Sequence, residues 1–416
     1  MYILALNCGS SSLKYQVFDA NTRKSIVGGN VEKIGLADSF VTQKYPDGTK
    51  EKKVVSMQNH NEALNVVLYM LRDKASIDMN EIGGVGHRVV MGGDKFASSV
   101  EITDDVIKTL NDLSPLAPLH NPAGVLGIVT AKQLLPNAKQ VAVFDTAFHQ
   151  TMPDYAYRYA VPNAWYKELG VRRYGFHGTS HLYVSKVAAR MLGKPASECN
   201  LITLHIGSGA SATAIRGGRS VDTSMGMTPT AGLTMGTRPG DIDPGVLLHV
   251  MKTLNLTPDQ MQKHLNKDSG IMGLTECYAD RRDVEENRDT NDKCRLAIQT
   301  EVHNVKKYIG AYMAELGNVD AIVFTAGVGE NDDYLREKFC DGLEKLGIKL
   351  DKEKNHAALA RKGVETAEIN TPDSPVKIFM IATNEELVIV EDTLAIMNGT
   401  YNPNHLKMAY SFAKTK

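Results

Sequence analysis

The sequence predicts an α/β protein made by duplicating one α/β unit, with a ligand between the two halves. Three observations carry this. Apolar runs rich in β formers alternate with stretches of helical period along much of the chain. Two segments about 200 residues apart, "ILALNCGSSSLKYQVF" (3–18) and "LITLHIGSGASATAIR" (201–216), each place a loop of small residues at the tip of a hairpin. A third apolar run, "DAIVFTAGVGEND" (320–332), also ends in a glycine-rich turn.

The elements follow in order. The opening hairpin turns through "NCGSSSLK". A plain turn needs only one or two such residues, whereas Asn7, Gly9, Ser10, Ser11, Ser12 and Lys14 gather an amide, hydroxyls, close backbone approach and a cation that suit phosphate oxygens. Residues 54–75 have helical spacing, and "EIGGVGHRVVMGG" (81–93) reads as a strand closed by a glycine turn. A helix over 122–135 and a strand over 139–149 complete the first half, with the boundary near residue 150. The second half reads as a helix (178–192), the second hairpin, a long helix (294–316) and the third glycine turn.

Bulk composition narrows the function classes. With 43% hydrophobic residues the chain can bury a large core, and its length suits two domains. Lys+Arg (47) nearly equals Asp+Glu (48), which argues against a nucleic-acid or acidic-membrane partner and for a small molecule. Cys8, Cys199, Cys277, Cys294 and Cys340 lack CxxC spacing and fit reduced thiols of a cytoplasmic protein. Neither a signal-peptide pattern nor an apolar run of the roughly 18 residues that span a bilayer is present. There is no GxxxxGK[ST] loop and no strand-borne GxGxxG, so the usual nucleotide fingerprints are missing.

Nine motifs in order bring in a more specific reading: "LNCGSSSLK", "GHRVVMGG" (86–93), "LAPLHNP" (116–122), "VFDTAFH" (143–149), "YGFHGTSH" (174–181), "HIGSGAS" (205–211), "MGTRPGDIDPG" (235–245), "FTAGVGEN" (324–331) and "TNEEL" (383–387). Through them the chain resembles, over nearly its whole length, the acetate kinase family of the sugar-kinase, heat-shock and actin superfamily. The resemblance implies a duplicated ribonuclease-H-like, actin/hexokinase-type two-domain ATPase fold. It places the domains at 1–149 plus 386–416 and at 150–385, with the second binding nucleotide and forming a homodimer. It also implies direct, reversible, in-line transfer of the ATP γ-phosphoryl group to acetate, giving acetyl phosphate and ADP, with magnesium or manganese.

Phosphoryl transfer asks a protein mainly for positioning and for compensation of charge. By resemblance, the catalytic residues are Asp145, His177 and Arg238, and Arg88 binds the carboxylate. An arginine fork suits either a carboxylate or a phosphoryl group. A carboxylate substrate is already ionised at pH 7, so Asp145 is expected to orient Arg238 or organise metal-bound water rather than act as a base. His177 and His181 are four apart, but "HGTSH" lacks the glutamate of a zinc helix, and His177 is expected to donate a hydrogen bond. Asn7 and Glu385 would hold the metal, while Glu386 reads as an ordinary helix-start acid. Val90, Leu119, Phe176 and Pro229 would form the apolar wall of a methyl pocket.

Nucleotide contacts are expected from Lys14, from His205, Ile206, Gly207, Ser208 and Gly209, from Asp280, Arg281 and Arg282, and from Gly327, Val328, Gly329, Glu330 and Asn331. Four positions depart from the usual family pattern: Ser208 for asparagine, Arg281 for methionine, Ala326 for glycine and Asp332 for serine. They touch the donor side, so a kinase using another donor such as pyrophosphate is an alternative, as is a propionate or butyrate kinase.

Overall fold

The computed structural model describes residues 1–45, 47–118 and 120–414. Leu119, expected in the methyl pocket, lies outside the described residues. The chain divides into two compact units, Met1–Phe148 with Asn384–Tyr410, and His149–Thr383 with Ser411–Lys416. Thus Asn384 and Glu385 join the first unit, and the segment from Ser411 joins the second.

Among its described residues the first unit holds eight strands: β1 (Tyr2–Cys8), β2 (Ser12–Asp19), β3 (Ser25–Glu32), β4 (Phe40–Lys44), β5 (Lys50–Val54), β6 (Ile82–Val89), β7 (Val100–Glu101) and β8 (Lys139–Phe144). They lie in the order β5-β4-β3-β2-β1-β6-β8-β7. The second unit holds β9 (Asn200–Ile206), β10 (Ala210–Arg216), β11 (Arg219–Thr223), β12 (Ala321–Thr325), β13 (Thr366–Glu368) and β14 (Lys377–Ile381), ordered β11-β10-β9-β12-β14-β13. Five strands of each sheet repeat one plan. In β3-β2-β1-β6-β8 the first three are antiparallel and β1, β6 and β8 are parallel. In β11-β10-β9-β12-β14 the same senses recur. The duplication predicted from two hairpins therefore extends to a five-strand plan within each sheet.

Both hairpins close tightly. The Gly9 N–H donates to Ser12 O at 2.8 Å, and the Gly207 N–H to Gly209 O at 3.0 Å. The sequence reading needs three boundary corrections. Val54, expected to open the helix, instead ends β5, which pairs with β4; the helix begins at His60, where the Asn59 side chain accepts from the Glu62 N–H and caps it. The run 139–149 leaves the sheet after Phe144 and ends in a 3-10 turn from Ala147. The glycine-rich stretch after β12 is a short helix, Ala326–Asn331.

Packing explains a glycine cluster that composition alone leaves ambiguous. In the first unit the helix Glu385–Met397 lies on β1, β6 and β8, with Ile389, Val390 and Leu394 against Ile3, Ala5, Val141 and Val143. A Cβ on Gly86 would stand 2.4 Å from Ile389 Cγ2, and one on Gly84 2.5 Å from Met397 Sδ. The glycines of "GGVG" let this helix approach β6 closely enough to bring its first residue, Glu385, beside Arg88. The opposite face of the sheet is closed by Leu6, Leu13 and Val17 against Ala63, Leu64, Val67 and Ala131 of the helices His60–Tyr69 and Asn121–Leu134.

In the second unit the helix Gly178–Leu192 packs on β9, β12 and β14, and Asp292–Leu316 on β9 and β10. All five cysteines are free thiols, four of them buried. Among the described residues, no helix is long and apolar enough to cross a membrane.

Candidate active site

In parallel α/β sheets ligands gather at the carboxyl ends of the strands, where loops leave the backbone and dipoles converge. In the first unit Asn7 is the last residue but one of β1, Arg88 the last but one of β6, and Asp145 follows β8. The Asp145 N–H donates to Val89 O at 2.9 Å, fixing its carboxylate beside the neighbouring strand. Arg88 Nε donates to Asp145 Oδ1 at 2.8 Å and Nη2 to Oδ2 at 2.7 Å, a two-pronged pair. The Asp145 side chain is 2% exposed and that of Arg88 19%. Burial by itself would lower the Arg88 pKa, but the charges of Asp145 and Glu385 and the Asp145 hydrogen bond outweigh it and hold the guanidinium cationic. Asp145 is thus the orienter of Arg88; Arg238, its expected partner, belongs to the second unit.

A cavity of about 630 Å³ opens on this end of the first unit, lined among others by Asn7, Lys14, Arg88, Glu385 and Glu386. Lys14 faces Asn7 across the hairpin register. Glu386, read from sequence as a plain helix-start acid, lines the same cavity, and its burial, then the charge of Glu385, raise its pKa. The adjacent acids at a helix start were the available signal, but their exposure depends on how that helix packs. Among the described residues no group of three or more His, Cys, Asp or Glu side chains could hold a metal. The donors present, an amide oxygen and two carboxylates around one cavity, are the hard oxygen set magnesium takes when phosphates and water complete its shell.

The second unit presents a histidine and arginine group around the tip of the β9–β10 hairpin. His177 precedes the helix Gly178–Leu192 with φ of 54°, in the left-handed region. That ring stacks on His205 at 4.0 Å, and its Nδ1 lies 2.9 Å from Ser211 Oγ. His205 Nδ1 is 2.8 Å from Ser180 Oγ, which is 2.9 Å from Thr383 Oγ1. Arg238 Nη1 donates to Pro229 O at 2.5 Å. Among the described residues no carboxylate of its unit pairs with it, and burial lowers its pKa. A Cβ on Gly209 would stand 2.7 Å from Arg238 Nη2 and 3.4 Å from His177 Nε2, so the missing side chain is what lets both groups border the loop.

The remaining expected residues are placed as follows. Val90 is half-buried two residues after Arg88, just past the end of β6. Phe176 is buried and its carbonyl accepts from His149 Nε2 at 2.8 Å. Ile206 is buried at the end of β9, and Ser208 is exposed at the tip. Asp280 caps the helix Arg281–Glu286, and hydrogen bonds from Arg282 lower its pKa to about 2. Arg282 is exposed, whereas Arg281 turns inward to Glu301, 2.8 Å away, with both side chains buried. Gly327, Val328 and Gly329 lie in the helix after β12, and Glu330 Oε1 accepts from the Ala326 N–H at 2.7 Å and the Thr383 N–H at 2.9 Å. Asn331 Oδ1 accepts from the Arg361 N–H at 2.7 Å.

Residues 2–391 match the model of the acetokinase family. The chain belongs to the acetokinase family. Among its relatives, the acetate kinase of Trichlorobacter lovleyi is 51% identical over 418 residues, covering 100% of this chain and 99% of that protein. The crystal structure of Porphyromonas gingivalis acetate kinase superposes with a TM-score of 0.90 at 44% identity, covering 95% of this chain and 99% of that one. A propionate kinase from Francisella tularensis superposes at 0.87 with 39% identity, covering 94% and 98%. The two-domain α/β ATPase fold expected from sequence is the fold of this family.

Three of the four departures from the usual acetokinase pattern have a structural account. Ala326 has φ of 65°, the left-handed conformation that glycine adopts freely and alanine only at a cost of about 1–2 kcal/mol. Its N–H bond to Glu330 holds it there. Arg281 forms the buried pair with Glu301. Asp332 caps the next helix through the Leu335 N–H, and burial raises its pKa to about 7. Nothing in the structure explains the choice of Ser208.

Proposed function

We propose that the protein catalyses reversible transfer of the γ-phosphoryl group of ATP to acetate, forming acetyl phosphate and ADP. The observation that carries this reading is the 51% identity, end to end, with an acetate kinase. In this mechanism Arg88, aligned by Asp145, takes the carboxylate of the acid through its remaining guanidinium face. One carboxylate oxygen attacks the γ phosphorus; the new O–P bond forms as the bond to the β-phosphate oxygen breaks, and no proton need leave the acid at neutral pH. Arg238 and His177 donate to the transferring oxygens, where charge shifts in the transition state. Asn7 and Glu385, with Glu386 alongside, would hold the magnesium, which when bound supplies charge neutralisation on the phosphates. Lys14, the Gly207–Gly209 tip with His205 and Ile206, Asp280 with Arg282, and the helix residues 327–331 would bind the nucleotide.

Formation of acyl phosphate, trapped as the hydroxamate, tests this across acetate, propionate and butyrate and across ATP, GTP and pyrophosphate. Acetate with ATP should give the highest kcat/KM; activity confined to pyrophosphate or to longer acids would overturn the assignment. In the same assay Val90→Ala should shift the acetate-to-propionate ratio of kcat/KM toward propionate by about tenfold, roughly one methylene's worth of discrimination. An unchanged ratio would assign Val90 to packing alone.

The same reading makes the protein a cytoplasmic homodimer formed through the second unit. The supporting observation is the apolar exposure of the helix Pro244–Leu254, where Leu248 is 70% and Leu254 64% exposed, with Val246 also open. Light scattering after size-exclusion chromatography should give twice the chain mass at micromolar concentration, and Leu248→Glu should shift it to monomer. A wild-type monomer would remove this part of the reading.

A further inference from the structure

We propose that Ser211 and His181 are positioning residues that set the tautomer of His177, so that its Nε2 carries the proton offered to the transferring phosphoryl group. The inference rests on the donor role given to His177 above. Ser211 Oγ is 2.9 Å from His177 Nδ1 and 2.7 Å from His181 Nε2, and His181 Nδ1 is 2.7 Å from Thr203 Oγ1. These three supporting side chains are wholly inaccessible to solvent. They therefore form a hydrogen-bonded chain, Thr203 to His181 to Ser211 to His177, running from the sheet to the ring at the site.

A serine hydroxyl has one proton and two lone pairs, so it donates to at most one ring. Two arrangements spend that proton within the chain; a third, in which both rings donate to Ser211, protonates His177 at Nδ1 as the second does. The His181 ring is neutral: burial, and then the rings of His149 and His205, hold its pKa well below the ordinary value. In the first arrangement Thr203 donates to His181 Nδ1, His181 Nε2–H donates to Ser211, and Ser211 donates to His177 Nδ1. His177 then presents Nε2–H while remaining neutral. In the second every bond is reversed, and Nδ1–H of His177 donates to Ser211. His177 then presents either a bare lone pair or, if doubly protonated, a second positive charge.

The surroundings select the first. Arg238 Nη2 and His177 Nε2 border the same point above Gly209, 2.7 and 3.4 Å from it, so a cationic ring would face a guanidinium across a half-buried loop. A lone pair there would face phosphoryl oxygens. Only the first arrangement gives a donor without an added charge. A hydroxyl at 211 is needed, because alanine would leave His177 Nδ1 without the bond that fixes its tautomer. His181 is needed because a ring that donates Nε2–H to Ser211 does not take the serine proton, which is then available to His177 Nδ1.

The test uses full-length protein labelled with ¹⁵N-histidine, in which long-range ¹⁵N–¹H correlation distinguishes protonated from bare ring nitrogens. His177 is assigned by the signal lost in His177→Gln. Wild type should show His177 as a single neutral Nε2–H ring, and Ser211→Ala should convert it to a mixture. Ser211→Ala should lower kcat by about 10–100-fold, with KM for acetate and ATP within about twofold, and Ser211→Thr should restore part of the loss. A wild-type ring that is Nδ1–H or doubly protonated would overturn the proposal, as would a Ser211→Ala enzyme of unchanged kcat. The wild-type spectrum stands even if Ser211→Ala does not fold. Near-normal turnover in His177→Gln would instead remove the donor role of His177, whatever its tautomer.

Discussion

Arg88→Ala should lower kcat/KM for the acid by about 10²–10³-fold and destabilise the protein at the same time, by about 2–4 kcal/mol. The two losses have separate causes. Activity falls because the cation that meets the carboxylate is gone. Stability falls because Asp145, 2% exposed and holding two charged hydrogen bonds from Arg88, is left as a buried anion without its partner. The exposure of Arg88, 19%, places the stability loss toward the lower part of the range seen for fully buried pairs. A double variant separates them. Arg88→Ala with Asp145→Ala should recover much of the urea midpoint lost in the single variant and none of the turnover. If Arg88→Ala keeps its midpoint, the buried-pair argument fails. If it keeps its kcat/KM, Arg88 does not bind the acid.

Arg238→Ala should give the opposite balance: kcat down by about 10³-fold with a melting temperature close to wild type. Removing an arginine aimed at a transferring phosphoryl group costs on the order of 10³–10⁵ in rate where such groups operate. Yet Arg238 gives up little on truncation, since its recorded bond is to the Pro229 carbonyl and burial already disfavours its charge. One neutral-acceptor hydrogen bond contributes about 1 kcal/mol, and the relieved desolvation offsets part of it. Calorimetry beside saturating kinetics checks both halves. Near-wild-type kcat would remove Arg238 from the chemistry, and a large fall in melting temperature would make it a structural residue. The two arginines, alike in sequence as cations in glycine-bearing motifs, thus differ in what surrounds them: one is clamped by a carboxylate, the other is held ready by a carbonyl.

The sequence alone was sufficient for the architecture, because strand and helix periodicity are local and two hairpins with the same pattern 200 residues apart report a duplicated unit. It was sufficient for the family as well, through nine short motifs whose order is independent of packing. Local patterning failed where capping or pairing overrode it, as at residues 50–60, where the Asn59 cap and the pairing of β5 with β4 move the helix start to His60. Partnerships were decided by the tertiary structure. Arg88 and Asp145 are 57 residues apart and meet only because β6 and β8 are parallel neighbours. Glu385 stands beside Arg88 because Gly84 and Gly86 admit a helix that begins nearly 300 residues later. His177, His181 and Ser211 form one chain because a helix and a strand are packed face to face. A one-dimensional pattern records which groups a chain carries; which lone pair meets which proton depends on distances of a few ångströms set by side-chain packing, and no local periodicity encodes them.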